Sequence, residues 1–193
     1  MNLKNYIFLL FGLLFTVSVK AQNVAIKTNL LYDATATANI GIELPVSKQW
    51  TYELAGNYNA WDMSHDRKWK HWMLQQEARY WFCNRFIGHF VGFHTHGGEY
   101  NVGNLDNDYR FLGTDFSKLS DHRYQGWFLG AGLAYGYSWV LDKHWNLEAS
   151  IGMGYSYTKF DIYPCEVCTT VIERGDHHYF GITKAAINLI YSF

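Results

Sequence analysis

The sequence is short of the residues that most often announce a function. It holds 3 Cys and 2 Pro in 193 residues, and its 16 Lys+Arg nearly cancel 17 Asp+Glu, for a net charge of -1. Three cysteines are too few for a disulfide scaffold. Balanced charge excludes a basic nucleic-acid binder, which needs surplus cations to neutralise phosphates. Beyond the first 21 residues there is no long apolar run, so no transmembrane helix is expected there. What the chain does have is aromatic residues: 8 Trp, 15 Tyr and 13 Phe. That abundance excludes a disordered chain.

Residues 1–21 read as a secretory signal peptide. Lys4 gives a charged start, Tyr6 to Phe15 an apolar run, and Val19-Lys20-Ala21 a small-x-small cleavage site. Cleavage is expected to leave a single domain, residues 22–193. Loss of Lys4 and Lys20, with no acid in that stretch, leaves 14 basic against 17 acidic residues. The alternative, a membrane anchor helix, is disfavoured because the apolar run falls short of the roughly 20 residues needed to span. No Cys near the cleavage site marks a lipoprotein.

The remainder is dominated by alternation with a period of two, the mark of strands with two different faces. Trp127, Leu129, Ala131, Leu133, Tyr135, Tyr137 and Trp139 alternate with Gly126, Phe128, Gly130, Gly132, Ala134, Gly136 and Ser138. One face is large and apolar; the other is mostly tiny. Residues 145–158 repeat the pattern, and 179–193 set Tyr179, Gly181, Thr183, Ala185, Ile187, Leu189, Tyr191 and Phe193 against Phe180, Ile182, Lys184, Ala186, Asn188, Ile190 and Ser192. Segments 24–34, 38–47, 50–61, 71–83 and 86–99 follow less cleanly. Polar turns at 47–49, 84–85 and 142–143 alternate with connections at 35–37, 62–70, 100–124 and 161–178.

Eight strands, many of 10–15 residues, with short turns at one end and mostly longer loops at the other, predict an all-β, eight-stranded antiparallel up-and-down transmembrane β-barrel. Lipid gives an open sheet edge no water to bond, so the sheet must close. Aromatics at strand ends (Trp50, Trp61, Trp69, Trp72, Trp81, Trp127, Trp139, Trp145, Tyr191, Phe193) read as two interfacial girdles. The alternative is a soluble exported barrel of lipocalin type, with its large residues turned inward around a ligand.

The last nine residues, Ala185 to Phe193, resemble the C-terminal assembly signal of bacterial outer-membrane barrels. That resemblance implies that Leu189, Tyr191 and Phe193 are read by the barrel-assembly machinery. Lys27-Thr28-Asn29-Leu30-Leu31-Tyr32-Asp33, Gly56-Asn57-Tyr58, Arg67-Lys68-Trp69-Lys70-His71-Trp72, Glu77-Ala78-Arg79-Tyr80-Trp81, Asp121-His122-Arg123-Tyr124-Gln125-Gly126-Trp127 and Trp145-Asn146-Leu147-Glu148 resemble a family of small outer-membrane proteins of Bacteroides-type bacteria, filed as a domain of unknown function. The architecture is also similar to the barrel of the outer-membrane protein A type. The resemblance implies fold and outer-membrane location, and carries no catalytic residues over.

Alternation with outward apolar residues places Lys27, Asp33, Glu43, Glu53, Glu77, Arg79, Glu148 and Lys184 inside. An eight-stranded barrel is just wide enough for side chains to fill it. Buried ions must pair. A plugged lumen with a charge network is therefore expected, with a gated ion path as the alternative.

Cys165 and Cys168 are expected to form a local disulfide in an oxidising compartment. The alternatives are two ligands of a metal site with His177 and His178 nearby, or free thiols. Cys83 has no evident partner. His94-Thr95-His96 sets both imidazoles on one strand face, a pair that could hold a metal, although local hydrogen bonding is the commoner use. His65 and His71 flank the basic run Arg67-Lys68-Trp69-Lys70, which suits lipid phosphates or sugars and equally an interface anchor.

The leading expectation is non-enzymatic: a structural, adhesion or envelope-interaction protein working through its outer loops, with outer-membrane lipid and lipopolysaccharide as surroundings and no cofactor, metal or nucleic acid. The alternative enzyme is a rim-sited lipid A-modifying hydrolase using His122 with Asp121, Ser117 or Ser120. Their spacing is not diagnostic.

Overall fold

The computed structural model describes residues 24–61, 68–103, 110–111, 114–115, 122–164 and 171–193. Residues 1–21, where a signal peptide is expected, the Cys165/Cys168 pair, His65, Ser117, Ser120 and Asp121 lie outside the described residues.

The chain runs β1 (Ala25–Asn29), α1 (Leu30–Ala34), β2 (Ala38–Pro45), β3 (Trp50–Asn59), β4 (Lys68–Trp81), β5 (Gly88–Gly103), β6 (Arg110–Phe111), β7 (Thr114–Asp115), β8 (His122–Val140), β9 (Trp145–Pro164) and β10 (Glu173–Ser192). Eight of these strands form one closed ring in the order β1-β10-β9-β8-β5-β4-β3-β2, and β6 and β7 make a separate two-stranded pair. Every neighbouring pair in the ring is antiparallel. Closure comes from β1, which pairs with β2 on one side and with β10 on the other, from Ala25↔Ser192 to Asn29↔Asn188. A closed ring leaves no unpaired strand edge.

Short connections at 46–49, 82–87 and 141–144 share one end of the ring with Val24 and Phe193, whose backbones meet through Phe193 N–H donating to the Val24 carbonyl at 3.0 Å. The long connections gather at the other end. Several strands run further toward that end than the alternation indicates: β8, β9 and β10 have 19, 20 and 20 residues. Much of the expected loop 161–178 is ladder, from Ile162↔Glu173 inward. Polar residues occupy both faces there (Asp161, Arg174, Asp176, His177, His178), so pairing continues after hydropathic alternation stops.

Two local departures redirect side chains. The first expected strand, 24–34, stops at Asn29. The Asn29 side chain accepts the Leu31 N–H at 3.1 Å and caps the single turn α1. That turn ends the alternation, and Asp33 is exposed at the mouth, accepting from Thr28 Oγ1 (2.8 Å) and Asn39 Nδ2 (2.7 Å), rather than lying in the lumen. The second is a bulge in β10. Ile182 pairs with Met153 but Lys184 pairs with Gly152, leaving Thr183 as the extra residue. Below it Lys184, Ala186, Asn188 and Ile190 face inward; above it Phe180 and Ile182 are exposed and Gly181 is buried. Phe180 and Ile182 therefore do not share a face with Lys184.

Trp81 also departs from the girdle assigned to it. It continues the inward series Gln75, Glu77, Arg79 on β4 and is fully buried, donating from Nε1 to Thr51 Oγ1 at 2.9 Å. With Ala25, Phe86, Phe90 and Ile190 it forms an apolar plug at the short-turn end. The Trp81 and Phe90 rings are 4.7 Å apart. Phe86 reaches the plug from a left-handed backbone (φ 66°) in the 82–87 turn, and Asn146 Nδ2 holds its carbonyl at 2.8 Å.

The tiny faces of β8 and β9 have a direct reason. Large inward side chains on β5 stand beside their β8 ladder partners (Phe90↔Gly136, His94↔Gly132, His96↔Gly130), so β8 and the next strand, β9, must be bare to receive them. A Cβ on Gly136 would lie 2.4 Å from Phe90 Cζ, one on Gly130 2.5 Å from His96 Nε2, and one on Gly132 or Gly152 2.8 Å from His94 Cε1.

Candidate functional site

Above the apolar plug the lumen is filled by charge. Seven side chains from six strands converge: Lys27 (β1), Glu43 (β2), Glu53 (β3), Glu77 and Arg79 (β4), Glu148 (β9) and Lys184 (β10), each with at most 7% of its surface exposed. Period-two alternation puts each on the inner face, and ladder register brings them to one level. Glu43, Glu53 and Glu77 are successive cross-strand partners.

Arg79 is the hub. Its Nη1 contacts Glu43 (2.9 Å) and Glu148 (3.0 Å), its Nη2 contacts Glu53 (2.6 Å), and its Nε lies 3.3 Å from Glu77. Its Cζ sits 4.6 Å above the Phe90 ring, joining the charge layer to the plug. Lys27 pairs with Glu53 (2.9 Å), Glu148 (3.0 Å) and Glu43, and Lys184 pairs with Glu77. Asn188 Nδ2 donates to Glu148 Oε1 at 2.8 Å. Three cations thus face four carboxylates. Each carboxylate has a cation within 3.3 Å, so the arrangement cross-links the strands across the lumen.

The next layer toward the long-loop end holds His94 and His96, stacked with centroids 5.7 Å apart. His94 Nε2 and Thr183 Oγ1 lie 2.9 Å apart, so the bulged residue of β10 meets the histidine across the lumen. Among the described residues no group of three or more His, Cys, Asp or Glu is placed to hold a metal ion. A small void lies beside this level, its polar lining from Lys27, Asn57, Gln75, Lys184 and Asn188 and its mouth bounded by Tyr32 of α1.

Of the remaining candidates, Tyr191 packs outward at the short-turn end against Trp145 (5.1 Å), His144 (5.6 Å) and Phe193 (5.1 Å). Leu189 pairs with Leu147 in the ladder. Cys83 is a free, exposed thiol. His122 begins β8.

The sequence did not reveal a cleft of about 470 Å³ toward the long-loop end, where β3, β4, β5, β8 and β9 meet. Two outward rows of side chains border it. One is Tyr58, Trp72, Glu99 and Trp127, which are successive ladder partners. The other is Lys70, Asn101, Gln125 and Asp161, likewise in register. Trp72 Nε1 donates to Glu99 Oε2 at 3.1 Å, fixing both groups. The Trp127 ring packs on Tyr157 at 5.6 Å. Arg123 stacks its guanidinium 4.8 Å over the neighbouring Tyr163 ring. The rows draw on strands far apart in sequence, so no local motif marks them.

Comparison with known proteins gives a family and no activity. The family model described as "Protein of unknown function (DUF3575)" matches residues 6–193, and the chain belongs to that family. No curated protein and no solved structure matches it.

Proposed function

We propose that this family member spans a bacterial outer membrane as a side-chain-plugged β-barrel, and that it acts without catalysis through the surface at its long-loop end. The observation that carries the reading is the inversion of the two faces. Ions and amides fill the inside, while Ile40, Leu54, Leu74, Phe93, Leu129, Leu133, Ile151 and Met153 stand exposed on the outside. A water-soluble barrel would place these the other way round.

The dimensions suit a bilayer. Outward Trp127 and Trp139 lie twelve residues apart on β8. At about 3.3 Å per residue and about 40° of tilt they are separated by roughly 30 Å along the barrel axis, the thickness of a hydrocarbon core. Between them the outward positions are Leu129, Ala131, Leu133, Tyr135 and Tyr137. Trp50, Trp139 and Trp145 belong to the girdle at the short-turn end, and Trp72 and Trp127 to the girdle at the long-loop end. The finer family resemblance, to small outer-membrane proteins of Bacteroides-type bacteria, belongs to the same reading, as does recognition of Leu189, Tyr191 and Phe193 by the assembly machinery.

The test is fractionation with a gel-shift comparison of boiled and unboiled protein. The expected result is an outer-membrane protein whose migration changes on boiling, together with lipid A of unchanged mass when the gene is deleted. Soluble protein with no shift would refute the membrane reading. A changed lipid A mass would refute the non-catalytic one.

A further inference from the structure

The outer cleft between the two rows has a chemistry of its own. Trp72 and Trp127 are held two strands apart, about 10 Å, with Glu99 between them. Both indoles are about 45% exposed and fixed by neighbours, Trp72 by its bond to Glu99 and Trp127 by Tyr157. Beyond them, toward the long-loop end, Asn101 and Gln125 stand directly opposite one another in the ladder, with Asp161 next to Gln125. Asn101 Oδ1 is buried and has no hydrogen-bond partner.

Two flat apolar rings with a rank of amides and carboxylates between and beside them match one ligand class. A hexose offers a C–H face to stack on an indole and a rim of hydroxyls that both donate and accept. Amides both donate and accept, and carboxylates accept. A phosphate fits less well: among the described lining residues Lys70 is the one lysine or arginine beside the carboxylates Glu99 and Asp161, and the nearby Arg174 is engaged by Asp161 at 3.4 Å. The volume, about 470 Å³, lies within the range of roughly 300–1,000 Å³ common for small-ligand sites.

The cleft also continues into the apolar band. The next outward residues after Trp127 toward the short-turn end are Leu129, 60% exposed, Ala131, and Leu133, 70% exposed. A ligand with a head in the cleft would lay an acyl chain along that band. We infer that the cleft is a binding site for the neutral saccharide head group of an outer-leaflet glycolipid, stacked on Trp72 and Trp127 and bonded by Asn101, Gln125 and Asp161. The lipid source rests on the membrane reading above; the saccharide chemistry rests on the cleft alone.

The test uses the full-length protein, refolded in mixed micelles of phosphatidylcholine with either digalactosyl diacylglycerol or phosphatidylglycerol, and native mass spectrometry of the retained lipid. Each sample is first checked for the boiling-dependent gel shift. The expected result is one glycolipid retained in preference to both phospholipids. Trp127→Ala and Gln125→Ala should each reduce that preference roughly tenfold or more with the gel shift intact, while Ile26→Ala, outward on β1 at the far side of the ring, should not. Equal retention of all lipids by shifted protein would overturn the inference and leave the membrane reading standing. Preference for phosphatidylglycerol would replace the saccharide by a phosphate. Equally tight binding of the free disaccharide would remove the lipid from the proposal. Absence of the gel shift would take the membrane reading and the glycolipid source down together.

Discussion

Arg79 is fully buried among four carboxylates, and among the described residues no other side chain pairs with so many of them. Removing one partner of a buried ion network leaves the others uncompensated, at a cost of roughly 3–5 kcal/mol. Arg79→Ala is expected to lower the denaturant midpoint of the folded protein by a corresponding amount; an unchanged midpoint would count against the network as the central brace. A second residue-scale prediction concerns the bare wall. Gly136→Ala drives a methyl into Phe90 and should cost about 1–3 kcal/mol, as overpacking does. Phe90→Leu in the same chain should recover part of that loss, because the contact atom is Phe90 Cζ at 2.4 Å. Strictly additive losses in the double variant would contradict the proposed fit. These inward residues were legible in the sequence wherever alternation ran unbroken, which covers Lys27, Glu43, Glu53, Glu77, Arg79, Glu148 and Lys184. Asp33 was misplaced because the period of two does not survive the Asn29 cap.

The elements show where reading by period fails. The bulge at Thr183 is invisible to alternation, since each side of it alternates well and only the phase shifts. A chain lacking Thr183 would join Ile182 directly to Lys184 in an unbroken ladder and leave both neighbours on their present faces, because Ile182 already pairs with Met153 and Lys184 with Gly152. Deletion of Thr183 removes the hydroxyl that meets His94 at 2.9 Å. The deletion variant is therefore expected to lose its folded gel band at a lower temperature than the parent. A band that melts at the parent temperature would show that the bulge and its contact with His94 carry no stability. Trp81 was read as a girdle residue from its place at a strand end, yet depth along a strand says nothing about face. Its parity with Arg79 on β4 held the answer. The ends of β8, β9 and β10 were read short because polar residues on both faces erase the pattern while backbone pairing continues.

At the scale of the molecule, the lumen is blocked twice, by the plug of Trp81, Phe86 and Phe90 and by the ion layer above it. Planar-bilayer recordings are expected to show no steady single-channel conductance, and stable open events in the unmodified protein would contradict the plugged lumen. The eight-stranded ring was legible from strand number, strand length and turn lengths. The outer cleft was not, because closure alone brings residues from β3, β4, β5, β8 and β9 side by side. The central claim is that the outward faces meet lipid, and spin-label accessibility along β8 tests it most directly. Single cysteines at the outward positions 125, 127, 129, 131, 133, 135, 137 and 139, in a chain with Cys83, Cys165 and Cys168 replaced by serine, would be labelled in reconstituted bilayers. The account predicts oxygen accessibility that peaks near Leu133 and falls toward both ends, with a polar nickel reagent showing the opposite profile. A nickel profile that is high and flat across Leu129 to Tyr135 would mean that this face meets water, and would contradict the account.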